Sequence, residues 1–310
     1  MLLRERETGV LYPKVGLWPD GSHHNLVFNF FGDYSRAEVV REYASELFAR
    51  IASEAAASSR DVLISSESLA GHNRAPEFIS ALLARMGGGF RPEIIFVVRE
   101  HFERASSVYN QQVKDRATRE RRDPADFLKA RAKRLCYAPM LQNLARANCQ
   151  LTVLSYHPAG DFVKRFLGHV GAAPDSSGEA AMHNVSLSTK ALIATLAINR
   201  AVSSDLARNE MLAAIYALPG SFEPSKSVFS TDALALTEPV FERDRQFLHR
   251  NFDIELKTPR SGSVTPFSLS EMDMEELTSA LQGFDSRADA VRQEMVRYVA
   301  PPHPPRAEEH

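Results

Sequence analysis

Two periods alternate along the chain. Ser35 and Glu38 have capping-box spacing, and Val39, Val40, Tyr43, Leu47 and Ile51 then recur at helical intervals as far as an Ala/Ser-rich stretch near Ser58, which predicts one long helix. Asp61-Val62-Leu63-Ile64-Ser65 is a short apolar run ending in small polar residues, and it reads as a strand. A helix follows over about 76–86, ended by Gly87-Gly88-Gly89. Pro92 introduces Ile94-Ile95-Phe96-Val97-Val98, an unbroken apolar run that suits a parallel strand buried on both faces and ends on Arg99. From Phe102 a helix turns Ala105, Val108 and Val113 inward, and a second long helix over 124–147 leads into the strand Gln150-Leu151-Thr152-Val153-Leu154. Strands at 61–65, 92–98 and 150–155 separated by helices make βαβ units, hence a parallel sheet with right-handed crossovers.

Upstream, residues 2–9 read as the end of a helix stopped by Gly9, followed by a turn-rich stretch from Tyr12-Pro13 through Trp18-Pro19-Asp20-Gly21. The chain from Asp161 onward reads almost wholly as helix and loop, and residues 301–310, opening with Pro301-Pro302-His303-Pro304-Pro305, read as a disordered tail. The expected class is α/β, with a single domain over 1–300 and a largely helical C-terminal part.

At 310 residues, 44% hydrophobic and 25% charged, the composition is that of a globular protein with a substantial core, which excludes disordered and fibrous classes. No apolar stretch reaches membrane-spanning length, and the Met1–Glu7 start is too short and acidic for a signal peptide. Cys136 and Cys149 lack metal-ligand spacing, so a reduced, cytoplasmic protein is expected. The net charge of −2 conceals twelve Lys/Arg against six Asp/Glu between Arg99 and Arg146, a local field that attracts anions or simply marks a solvated helix face.

Ligands of open parallel sheets bind beyond the carboxyl ends of the strands. Three such places hold Ser65, Ser66 and Glu67, then Arg99 with Ser106, Ser107 and Tyr109 downstream, then Ser155, Tyr156 and His157, and the N-terminal loop adds His23 and His24. Arg99 offers a planar fork of donors and Ser107, eight residues on, a hydroxyl; together they suit a phosphomonoester, while pairing of Arg99 with Glu100 or Glu103 is the plainer alternative.

The string Ile94-Ile95-Phe96-Val97-Val98-Arg99 followed by Ser107-Val108-Tyr109-Asn110-Gln111-Gln112-Val113-Lys114 resembles the 3′-phosphate-binding segment of sulfotransferases that use 3′-phosphoadenylyl sulfate (PAPS), in the version of the bacterial, carbohydrate-type members. Gly9-Val10-Leu11-Tyr12-Pro13, His23-His24-Asn25-Leu26, Leu63-Ile64-Ser65-Ser66-Glu67, Phe166-Leu167-Gly168, Asn184-Val185-Ser186-Leu187-Ser188 and Ile198-Asn199-Arg200 follow in the order of that family, so the resemblance covers roughly 9–255. It implies a P-loop-NTPase-like parallel sheet flanked by helices, PAPS as cofactor and transfer of a sulfuryl group to a hydroxyl of a glycan or other small-molecule acceptor. No nucleic-acid partner is expected, and a homo-oligomer is compatible with the pattern. Arg99 and Ser107 would bind the cofactor, Ser65 and Ser66 the acceptor, and His23, His24 or Glu67 would take the acceptor proton.

One departure stands against this agreement. The family opens with a strand, a loop of the type Lys-x-Gly-[Ser/Thr]-Thr around the 5′-phosphosulfate, and a helix, and no such loop occurs here. Gly87-Gly88-Gly89 lacks the Lys and the hydroxyls, and Arg260-Ser261-Gly262-Ser263 lies in the wrong part of the chain. The expectation is that about 20–30 residues of that first unit are missing and that the chain as given transfers poorly or only binds nucleotide.

Overall fold

The computed structural model describes residues 9–35, 38–156, 162–172, 186–223, 228–256 and 267–299. Among them the first half runs β1 (Val10–Leu11), α1 (His24–Phe31), α2 (Ala44–Ala56), β2 (Asp61–Val62), α3 (Glu67–Ala70), α4 (Ala75–Met86), β3 (Glu93–Val98), α5 (His101–Lys114), α6 (Pro124–Leu135), α7 (Ala138–Leu144) and β4 (Gln150–Ser155). Then come α8 (Phe162–His169), β5 (Ser186–Leu187), α9 (Thr189–Ala201), α10 (Asp205–Tyr216), β6 (Phe222–Glu223), α11 (Thr231–Phe252), α12 (Glu271–Ala280) and α13 (Asp285–Val296). The chain divides into two compact units, the first made of Met1–Glu100, Cys136–His183 and Glu242–Lys257 and the second of His101–Leu135, Asn184–Phe241 and Thr258–His310.

In the first unit β3 and β4 pair in parallel along their full length, from Glu93 opposite Gln150 to Val98 opposite Ser155, as their apolar runs predict. The strand expected at 61–65 shortens to Asp61–Val62, and its parallel partner is β1. The class is therefore α/β with parallel pairing, and each sheet among the described residues has two strands. Leu26, Leu47, Ile51, Phe78, Val98 and Leu141, all nearly inaccessible, gather α1, α2, α4 and α7 against β3. Val97 departs from the expected burial on both faces and stands 40% exposed.

Two helices differ from their sequence reading, each for a definable reason. The helix predicted from Ser35 begins only at Ala44, because Asn29 takes hold of the preceding segment: its amide donates to Val40 O at 2.8 Å and its Oδ1 accepts from Glu42 N–H at 2.8 Å. Ser35 turns its hydroxyl to Asp33 Oδ1 at 2.7 Å, and the N-cap of α2 is Tyr43. The helix predicted over 124–147 breaks between Leu135 and Ala138, since Pro139 has no N–H to give Leu135 O and its ring clashes with that carbonyl. The buried Asp244 carboxylate occupies the break, accepting from Tyr137 N–H at 2.7 Å and Ala138 N–H at 2.9 Å.

The second unit is built around α9, in which every residue from Ala191 to Asn199 is buried, with α5, α10 and α13 packed on it. Its short strands β5 and β6 pair antiparallel. No described helix is long and apolar enough to cross a membrane. The expected N-terminal helix end at 2–8, His157, Asn184-Val185, Arg260-Ser261-Gly262-Ser263 and the tail at 301–310 lie outside the described residues.

Candidate functional site

Beyond β2 the chain stays extended and becomes laced to the loop before α1. Leu63 N–H donates to Leu11 O at 2.9 Å, and His23 N–H donates to Ser65 O at 2.7 Å. Ser65 N–H returns to His23 Nδ1 at 3.2 Å, and His23 Nε2 lies 2.9 Å from Pro13 O. A carbonyl only accepts, so Nε2 carries the proton and His23 is held as the neutral Nε2–H tautomer. The ring is fully buried, and that burial lowers its pKa from the ordinary 6.5. With both nitrogens committed to backbone, His23 organises the loop and has no nitrogen left for an acceptor proton. Tyr12 works beside it: the ring lies edge-on to His23 at 4.5 Å, and the hydroxyl bonds Gly21 O at 2.8 Å and Ser65 Oγ at 2.5 Å. Ser65 is thereby tied into the same knot, and Tyr12 pins the loop rather than offering a face to a sugar.

The neighbouring histidine has a different setting. His24 begins α1 and is partly open to solvent, with Nδ1 2.8 Å from Ser66 Oγ and 3.2 Å from Ser68 Oγ. Its Nε2 is 3.8 Å from Asp20 Oδ2. Partial burial works against ionisation of Asp20, but hydrogen bonds from Ser22 and the charge of His24 outweigh it and hold the carboxyl below its ordinary value. Trp18 packs edge-on against Phe28 at 5.3 Å and also approaches His24. Two serines therefore fix the ring through one nitrogen, while the other faces a carboxylate able to stabilise an imidazolium. Glu67 opens α3, beside Ser66, and is exposed, while Arg74 pairs with Glu77.

Arg99 closes β3, and its backbone is gripped on both sides by one phenol. Tyr137 Oη accepts from Arg99 N–H at 3.0 Å and donates to Arg99 O at 2.8 Å. Among the described residues the half-buried guanidinium has no hydrogen-bond or ion-pair partner, so the pairing with Glu100 or Glu103 does not form. Ser107 lies on α5 in the second unit, half-buried, and its hydroxyl is likewise without a partner among the described residues. An uncommitted guanidinium and an uncommitted hydroxyl are each what a phosphomonoester requires. Lys114, at the end of α5, is half-buried, which lowers its pKa. Tyr156 continues β4, its N–H on Val98 O at 2.6 Å and its ring against Phe162 at 5.2 Å.

Sequence reasoning did not single out Asp20, Ser68 or Tyr137. Asp20 and His24 are four residues apart around a turn, a spacing legible in the sequence; the Tyr137 contact, 38 residues from Arg99, is not. The segment Lys14-Val15-Gly16 also contains Lys-x-Gly, yet it is no phosphosulfate cradle. Val15 is buried, Leu17 and Trp18 stand where hydroxyl residues would be needed, and Gly16 (φ 76°) is packed so closely that a Cβ there would lie 2.3 Å from Leu26. No family model, curated protein or solved structure matches the chain.

Proposed function

We propose that this chain is a sulfotransferase that moves a sulfuryl group from PAPS to a hydroxyl of a glycan or other small acceptor, on a P-loop-NTPase-like sheet of which β1–β2 and β3–β4 are parts. The observation that carries the reading is the meeting of His24 and Ser66 beyond the carboxyl end of the parallel strand β2, in a unit whose β3 is followed by an uncommitted arginine. PAPS, when bound, supplies the sulfuryl group. His24 is the base: with Nδ1–H donated to Ser66 Oγ, Nε2 takes the acceptor proton, and Asp20 stabilises the resulting imidazolium. Arg99 binds the 3′-phosphate, Ser66 and the exposed Glu67 face the acceptor, and Ser107 is a separate candidate for the nucleotide. Tyr137 positions Arg99, and His23 positions the loop that carries His24.

A second reading, a nucleotide-binding protein of the same fold that does not transfer, is favoured by one observation: the 310 residues contain no Lys-x-Gly-[Ser/Thr]-Thr run. Two measurements separate the readings. Calorimetry with adenosine 3′,5′-bisphosphate should show binding that Arg99→Ala weakens by about ten- to a hundredfold, and unchanged affinity would reject both. Sulfate transfer from labelled PAPS to a panel of glycans, abolished by His24→Ala, supports the enzyme; binding without any turnover leaves the second reading alone.

A further inference from the structure

Within the second unit the segment joining α5 to α6, together with Arg131 of α6, forms an open basin of about 480 Å³ lined by Ala117, Thr118, Arg119, Glu120, Arg121, Arg122 and Arg131. Four arginines face one glutamate there, and their charges are unequally satisfied. Glu120, nearly buried, accepts from Arg122 Nε at 2.9 Å and Nη2 at 2.5 Å and so neutralises Arg122. Asp205 pairs with Arg119. Arg121 and Arg131 have no side-chain partner among the described residues, which leaves two uncompensated guanidiniums in one basin.

Arg131 stands on α6, and the loop that carries Arg121 is held at several of its backbone groups. Asp115 Oδ1 accepts from Ala117 N–H at 2.7 Å and Thr118 N–H at 2.8 Å, and Glu120 Oε1 accepts from the backbone N–H groups of Arg121 and Arg122. The carbonyls of Glu120, Arg121 and Arg122 each receive a side chain of the unit: Asn199 Nδ2 at 3.1 Å, Arg200 Nε at 2.7 Å and Tyr109 Oη at 2.9 Å. With three successive carbonyls anchored inward, the backbone that carries Arg119, Arg121 and Arg122 is set in place before any ligand arrives. Preorganisation of this kind lowers the entropic cost of binding.

A further cation lies behind the loop. Arg208 is fully buried, donates Nε–H to Asn199 Oδ1 at 2.8 Å, and leaves Nη1 and Nη2 without partners among the described residues. Burial first, and the Arg119 charge second, lower its pKa. Like charges held this close favour an anion in front of them.

We infer that this basin is an anion site, distinct from the nucleotide contacts proposed above, for a small ligand bearing a terminal phosphate dianion. Charge decides between phosphate and sulfate ester: a phosphomonoester carries close to two negative charges at neutral pH, matching Arg121 and Arg131, whereas a sulfate ester carries one. The planar fork of each guanidinium suits the phosphate oxygens.

Phenyl phosphate and phenyl sulfate, nearly equal in shape and unequal in charge, are the probes, titrated calorimetrically at pH 7.5 and 5.5. Phenyl phosphate should bind at pH 7.5 and lose most of its advantage over phenyl sulfate at pH 5.5, below its second pKa of about 6. Arg121→Gln and Arg131→Gln should each weaken it by about tenfold. Arg134→Gln, an exposed charge on α6 outside the basin, should leave it unchanged. Equal losses in all three variants would mean a general surface field and would overturn the site. Loss on Arg99→Ala with no change in Arg121→Gln or Arg131→Gln would place the phosphate elsewhere, with the same effect. The outcome is independent of sulfate transfer, so failure here and failure of the enzyme reading are told apart.

Discussion

Removing one oxygen from Tyr137 tests whether its hydroxyl holds the end of β3. In Tyr137→Phe the ring keeps its edge-on packing against Phe96, at 6.0 Å and 85°, so the loss is confined to the hydroxyl that bonds both Arg99 N–H and Arg99 O. Each neutral hydrogen bond contributes about 1 kcal/mol net, and an abandoned buried partner costs about 1–3 kcal/mol. Because Arg99 is only half-buried, water can reach part of what is released, and the expected loss is about 2 kcal/mol. The single tryptophan, Trp18, lies in the first unit and reports its urea unfolding by fluorescence. The midpoint should fall with the slope unchanged, and affinity for adenosine 3′,5′-bisphosphate should drop by about threefold, since a positioned Arg99 rather than a direct contact is lost. A midpoint equal to that of the parent protein would refute the argument that this hydroxyl anchors Arg99. An unchanged affinity with a lowered midpoint would remove Arg99 from the nucleotide reading while leaving the anchor intact.

Asp244→Ala strips two backbone donors of their acceptor at the start of α7 and should cost about 3–5 kcal/mol, against about 1–2 kcal/mol for Asp244→Asn, which keeps one oxygen; the same fluorescence midpoint measures both. Gly16→Ala places a Cβ 2.3 Å from the buried Leu26 at a φ of 76° and should destabilise the first unit by at least about 2 kcal/mol; a Tm equal to that of the parent protein would rule out the tight packing. His23 has a folded pKa below 6.5, so the unfolded chain binds the proton first as pH falls. Stability should therefore be full above that value and decline below it, with His72, whose pKa is also lowered by burial, acting in the same direction. In His23→Gln the pH dependence of the midpoint between pH 7 and 5 should flatten, and an unaltered slope would count against the buried neutral ring.

What the sequence disclosed about the fold was what its local periods encode. α4, β3, β4 and the start of α5 fall within a residue or so of where they are expected, because amphipathic spacing, Pro76 and Gly87 act within a few residues of the elements they start or stop. The late start of α2 was not legible, since it is decided by Asn29, which reaches forward to Val40 and Glu42 across a turn that no helical period describes. The break before α7 was half legible: Pro139 is plain in the sequence, but Asp244, which makes the break stable, lies 107 residues away. Pairing of β1 with β2 was hidden because strands of two residues carry no alternation to read. At the candidate site, the rule that ligands gather at strand ends singled out Ser65, Ser66 and Arg99. It could not divide His23 from His24, because the two are adjacent and chemically identical. The division comes from which ring turns inward to the Pro13 carbonyl and the Ser65 amide.

The basic run shows the same limit from the side of charge. Twelve cations against six anions between Arg99 and Arg146 describe a mean field, and a mean field is equally compatible with a solvated helix face and with a binding site. What separates the two is the bookkeeping of partners inside one unit, where Glu120 and Asp205 quench Arg122 and Arg119 and leave Arg121 and Arg131 facing the same basin. On a solvated helix face such cations would be spread at helical intervals. Here Arg119, Arg121 and Arg122 ride on a loop whose carbonyls are tied to Asn199, Arg200 and Tyr109, with buried Arg208 behind them. That anchoring fixes the backbone of Arg121, while Arg131 lines the same basin from α6. It also makes Asn199→Ala an informative companion to the arginine variants, because it touches no ligand. If the basin depends on loop order, phenyl phosphate affinity should fall by about threefold in Asn199→Ala although every lining residue is retained. A full retention of affinity would mean that the guanidiniums find the phosphate without the scaffold.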